Sequence, residues 1–160
     1  MRHDLAIRFA AFSATHINGE IVHLKTDIQL THVPYKGSAE SLADLLGGRI
    51  DMYMGSGGAP EGVLAAAALK CMGGQFFGKL LFRNEDEKAR ARKAGITNFD
   101  RVYTRDDLVR ADVIFAATGV TSGSLLAGIK RDPGWVTLET ILMRSKSGSI
   151  RRMTYKTPVR

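Results

Sequence analysis

The stretch Asp51–Gly74, DMYMGSGGAPEGVLAAAALKCMGG, constrains the fold more than any other part of the chain. A short apolar run, Met52–Met54, stops at a glycine-rich turn and restarts as an alanine-rich helix. Gly55, Gly57 and Gly58 free the backbone at the strand's C-terminal end, and Pro60 occupies a position that suits a first helical turn. A strand, a glycine turn and a helix N-terminus form an anion cradle, because unpaired N–H groups and the positive end of the helix dipole converge there. Glu61 falls in the first turn. Its carboxylate can cap the helix or hold a metal beside an anion, and spacing alone leaves both roles open.

The rest of the chain reads as one α/β domain over 1–160. At 160 residues it can bury one core. Asp4–Ala14 reads as an opening helix, although Leu5, Ile7 and Phe9 alternate enough to leave a strand open. A helix over Ile17–Lys25, a strand over Ile28–Val33 and a helix over Ala39–Leu46 capped by Ser38 follow. Ile50–Met54 is the next strand, so strand, short helix and strand make a βαβ unit with parallel pairing. Pro60–Met72 is helical, Gln75–Phe82 a strand weakened by Gly78, and Glu85–Ala94 a solvent-facing helix whose charges match its dipole. Arg101–Thr104 is a short strand, Asp106–Arg110 one or two helical turns, and Val113–Ala117 a buried strand. Its C-terminal end carries Thr118-Gly119-Val120-Thr121-Ser122-Gly123, followed by a helix-like Ser124–Ile129. The two glycine turns are therefore expected on one edge of a largely parallel open sheet in a three-layer fold, where ligands of such folds bind. Trp135–Arg144 and Ser149–Tyr155 form a β-hairpin.

Charge and residue chemistry narrow the function classes. An excess of 23 Lys and Arg over 16 Asp and Glu leaves a net charge of +7, which suits nucleic acid, an acidic membrane surface or small anionic metabolites such as sugar phosphates, and composition does not choose among them. The basic residues are scattered and lack interleaved aromatics of the RNA-recognition kind, so no nucleic-acid partner is expected. Cys71 is the only cysteine and reads as a packed thiol, consistent with a reducing compartment. Neither a signal peptide nor a membrane span is expected, and the location read from this is cytoplasmic; an oligomer stays open. Lys36, in a loop after a strand, is either a ligand for carboxylate or phosphate or simply solvated. His3, His16, His23 and His32 have no metal-ligand spacing. Ser56, Ser122 and Ser124 sit in glycine turns without a GxSxG elbow, so anion binding or capping suits them better than nucleophilic attack.

From Asp51 to about Arg152 the chain resembles the C-terminal half of class II fructose-1,6-bisphosphatases. The motifs that carry the resemblance are DMYMGSGGAPEGVLAAAALKCMGGQ, GKLLFRNEDEKARARKAGI, DVIFAATGVTSGSLLAGI and TLETILMRSKSGSIRRM, with Arg2-His3-Asp4 resembling the short basic segment that opens this half. The resemblance implies a cytosolic, metal-dependent sugar-bisphosphate phosphatase using Mg2+ or Mn2+. It gives Glu61 to the metal site and Arg2 to the sugar phosphate, with Gly57, Gly58, Thr118 and Gly119 available to the anion. The family's N-terminal half, which brings most metal-binding acidic residues, is absent from this sequence. The Asp-Gly-Asp sugar-binding turn is also replaced by Pro34-Tyr35-Lys36-Gly37, and Ser56 stands where an aliphatic residue or Thr is usual. Such chemistry needs several carboxylates converging on the cations, so the lineage implies an enzyme that is incomplete as this chain alone. If activity is retained, water attacks a phosphate bound at the Gly57-Gly58 turn with a divalent cation on Glu61.

The stretch THINGEIVHLKTDIQLTHVPYKGSAESLADLLGGRIDMYM resembles the tripartite tricarboxylate receptors, periplasmic proteins of an α/β fold that bind small carboxylates. The simplest account of two likenesses in one chain is a chimera, built or designed by joining the two at the shared strand Ile50–Met54, with a natural divergent domain as the alternative. The alternatives carried alongside are a non-enzymatic carboxylate binder acting through Lys36, and a split phosphatase that works with a separate N-terminal chain.

Overall fold

The computed structural model describes residues 6–11, 15–26, 28–36, 38–123 and 125–159, leaving aside the side chains of 6, 15–19, 38 and 39. The chain is of the mixed α/β class, with its strands shared among three sheets. By contact it divides into two compact units. One comprises residues 1–57, 115–143 and 150–160, the other residues 58–114 and 144–149.

The first unit begins with β1 (Ala6–Ala11), α1 (Thr15–Lys25), β2 (Gln29–His32), α2 (Ser38–Leu46) and β3 (Met52–Met54). The expected opening helix is instead β1: the alternation of Ile7 and Phe9 prevails over the alanines, and Phe9, Ala10 and Ala11 are buried. β1 is the central strand, parallel to β2 with Ile7 opposite Leu30 and parallel to β3 with Phe9 opposite Met52. The expected pairing of β2 with β3 is therefore corrected. The α2 crossover carries the chain past β1, because only a central strand lets Phe9 be covered on both sides. The Arg8 guanidinium binds the Asp51 carboxylate through two nitrogens at 3.0 Å each, tying β1 to the entry of β3.

A further sheet, antiparallel, is made of β6 (Ile114–Thr118), β7 (Lys130–Asp132), β8 (Trp135–Arg144) and β9 (Ser149–Pro158), of which residues 115–118, 130–132, 135–143 and 150–158 belong to this unit. The expected C-terminal hairpin is β8 and β9. Ile114–Thr118 is not the fully buried strand its composition suggests: alternate residues are exposed, and Ile114 keeps 67% of its surface accessible. Ser124–Ile129 does not form the expected helix either. Residue 124 lies outside the described set, and 125–129 run as a loop whose Ile129 N–H bonds Val120 O.

The second unit holds α3 (Ala59–Met72), β4 (Phe77–Lys79), α4 (Glu85–Lys93), β5 (Val102–Thr104) and α5 (Arg105–Leu108), with β4 and β5 antiparallel. α3 buries Ala65, Ala66, Ala68, Leu69 and Cys71 and packs against α5. Small alanines permit that close approach. Gly73, at φ 79°, ends α3 in the left-handed conformation and returns an N–H to Leu69 O. Lys70 Nζ, largely buried, donates to Val109 O at 2.6 Å and pairs with Asp106 at 3.1 Å. α4 is capped by the Asn84 side chain accepting from the Glu87 N–H, and α5 opens on a capping box between Thr104 and Asp107.

Candidate functional site

The glycine turn after β3 is fully exposed, and α3 begins as its sequence dictates. Gly58 is the N-cap in an extended conformation, φ −68° and ψ 146°, with proline inside the first turn. No side chain caps the helix by a hydrogen bond. Glu61 is the third helical residue, the place from which a side chain reaches back over the N-terminus. Its carboxylate folds against Gly58, where an added Cβ would collide with Oε2. The backbone N–H groups of the helix start, the helix dipole and one carboxylate therefore meet at an exposed turn. The arrangement can receive an oxyanion once Glu61 swings away, or hold a cation on Glu61 if further oxygen ligands are brought to it.

The second glycine turn differs in construction. Thr118, at the end of β6, exchanges a 3.0 Å hydroxyl contact with Thr140 on β8. Gly119 is buried and donates to Glu139 O, and a Cβ there would strike the carbonyl of Ala127. Gly119 is thus a packing glycine in a folded-back loop. Glu139 accepts from the Ala127 N–H, Arg152 donates to Leu125 O at 2.7 Å and lies 3.7 Å from Glu139, and Ser122 Oγ accepts from the Gly128 N–H. The loop's polar groups are spent on its own closure.

The two turns do not share a sheet edge. β3 belongs to the parallel sheet and β6 to the antiparallel one, which corrects the expectation of one ligand-binding edge. Lys36 is exposed and makes no ion pair among the described residues, while its neighbour Tyr35 donates to Asp44 at 2.5 Å. Burial and that hydrogen bond push the Tyr35 hydroxyl up to about 12. The loop at Pro34–Lys36 is thus pinned by Tyr35 and leaves Lys36 exposed. Arg2 and Gly37 lie outside the described residues. His23 and His32 each bond a backbone carbonyl, as structural histidines do, and Cys71 is buried as expected.

Sequence reasoning did not single out Glu139, Arg152 or the Arg8–Asp51 pair. The signal for Glu139 was a lone carboxylate inside the otherwise apolar run Trp135–Arg144, which requires a partner. Among the described residues no three His, Cys, Asp or Glu side chains converge as metal ligands. The described residues do not fit a divalent metal on their own: Glu61 is one carboxylate where several oxygens are needed. A depression of about 330 Å³ beside Phe76 and Phe77 has its charged groups engaged, with Arg105 bonded to Gly74 O and to Asp106. Among the described residues no helix is long and apolar enough to cross a membrane.

Residues 38–157 match the family model for bacterial fructose-1,6-bisphosphatase, glpX-encoded. The chain is 42% identical over 118 residues to fructose-1,6-bisphosphatase 1 class 2 of Escherichia coli K12, covering 65% of this chain and 35% of that relative. The class 2 fructose-1,6-bisphosphatases of Escherichia coli O6:H1 and Shigella flexneri match with the same identity and coverage. The chain spans about a third of the length of these relatives.

Proposed function

The chain belongs to the bacterial, glpX-encoded fructose-1,6-bisphosphatase family, and from that premise we propose that it contributes the sugar-phosphate-binding turn of that lineage and is catalytically incomplete alone. The carrying observation is the N-terminus of α3, uncapped by any side-chain hydrogen bond and covered only by the Glu61 carboxylate. An uncapped N-terminus on a glycine turn suits a phosphate, and a lone Glu61 suits one ligand of a metal site whose other ligands come from the part of the family chain not matched here. The ions implied are Mg2+ or Mn2+. This chain's own share is to orient the phosphate with the backbone N–H groups of Gly57, Gly58, Ala59 and Glu61, Pro60 having none to give, and to present the Glu61 carboxylate.

Calorimetry with fructose 1,6-bisphosphate tests this. Without divalent cations Glu61 competes with the anion electrostatically, so Glu61→Gln is expected to tighten binding by roughly threefold to tenfold, a neighbouring-charge effect of about 1 kcal/mol. No binding by either protein, or weaker binding by the variant, contradicts the proposal.

A second reading, of joined ancestry, is supported by the reach of the family match, which begins at residue 38. Residues 6–36, carrying β1, α1, β2 and the Lys36 loop, lie before it. On this reading the seam precedes α2 rather than lying in β3, and the outward-facing Lys36 binds a small carboxylate. Citrate heats abolished by Lys36→Ala are its expected sign; silence from citrate overturns it.

A further inference from the structure

The antiparallel sheet has two unlike faces. Arg152 and Lys156 of β9 reach Glu139 and Trp135 of β8, so these four share one face. Lys130 and Asp132 lie opposite Thr137 and Trp135 and belong to it as well. Bonded to this face, through Glu139 and Arg152, is the loop that carries Leu125–Ala127, and Ile141 and Met143, which alternation puts on the same face, are buried.

Alternation places Val136, Leu138, Thr140 and Leu142 of β8 on the other face, together with Arg151, Met153 and Tyr155 of β9. Arg131 joins them opposite Val136, and Thr118 joins through Thr140. Both carboxylates carried by these strands, Asp132 and Glu139, are on the first face. The second therefore has an apolar middle between Arg131 and Arg151, neither of which makes an ion pair among the described residues. Tyr155 is 60% exposed and Met153 45%. A sheet face with Leu, Met and Tyr in its middle is normally covered by a helix.

We propose that this face docks an acidic amphipathic helix, supplied by the part of the family chain that this segment does not match. Charge selects the occupant. A second copy of a chain carrying +7 would bring arginine against arginine. A nucleic-acid backbone would lay phosphates over Leu138, Leu142 and Met153, which offer it no donor. A helix with leucines on one side and glutamates along its flanks meets both the apolar middle and the arginines. The inference rests on the reading of the chain as an incomplete member of its family, and its variants leave Gly55–Glu61 untouched. Fructose 1,6-bisphosphate heats thus report separately on that reading.

Two assays test it. In the first, fluorescence anisotropy follows an 18-residue helical peptide of leucine and alanine on one side and glutamate on the other, against its lysine counterpart and a 20-nucleotide oligothymidine. The acidic peptide is expected to bind, at least tenfold more weakly to Met153→Glu and to Arg151→Glu, while Lys156→Gln on the opposite face leaves it within twofold. In the second, the unmatched portion of the Escherichia coli relative, co-expressed with the full chain, is expected to co-purify with it and to be lost with the same two variants. Circular dichroism identical to that of the parent certifies each variant, and Tyr155→Glu substitutes for any that fails. Equal binding of the basic peptide, tighter binding of oligothymidine, self-association lost with Met153→Glu, or absence of the co-purified portion would overturn the proposal.

Discussion

Single residues divide between those that hold the fold and those that stay available. Gly119 belongs to the first kind: the carbonyl of Ala127 occupies the place of a Cβ and cannot swing aside as a side chain would. Gly119→Ala is expected to destabilise the protein by about 1–3 kcal/mol, readable in urea denaturation. The Arg8 hydrogen bond holds the Asp51 carboxyl below the usual carboxylate range. A group depressed in the folded state contributes stability above its unfolded value and loses it as pH falls through the folded one. Asp51→Asn should therefore flatten the decline of stability below about pH 4. Tyr35 has the opposite sign. With its hydroxyl raised to about 12, it favours folding below its ordinary value near 10, and that share is lost between about pH 10 and 12. Tyr35→Phe should remove this alkaline decline, while the phenolate absorbance of the parent rises late in the same window.

Among the elements, those with a local signal were legible. The acidic start and basic end of Glu85–Ala94 announce α4, which the structure shows over Glu85–Lys93 and caps with the Asn84 side chain. Asn84→Ala is expected to lower stability by about 1 kcal/mol. Gly73 ended α3 as written, the hairpin of β8 and β9 formed, and the helices α1, α2 and α3 lie where periodicity placed them. What failed was long-range. β1 was read as a helix because alanines raise helix propensity, whereas its place between β2 and β3 depends on residues twenty to forty positions away. The loop after Gly119 looked helical by composition, but Glu139 and Arg152, distant in sequence, take up its backbone groups. The glycine turns were recognisable singly; their assignment to different sheets was not, because sheet membership is decided by strand partners. Phe9, wholly buried on the central strand, measures how much β1 matters: Phe9→Ala is expected to cost about 3–5 kcal/mol.

The whole chain combines clear ancestry with a partial site. Its family match covers residues 38–157, yet it spans about a third of its relatives' length, and among the described residues no three His, Cys, Asp or Glu side chains converge as metal ligands. Under the proposed function the chain recognises a phosphate without cleaving it. The direct measurement is release of inorganic phosphate from fructose 1,6-bisphosphate by the purified chain with saturating Mg2+ or Mn2+. Release no faster than the buffer blank is the expected result. Release that is metal-dependent and abolished by Glu61→Ala would contradict it.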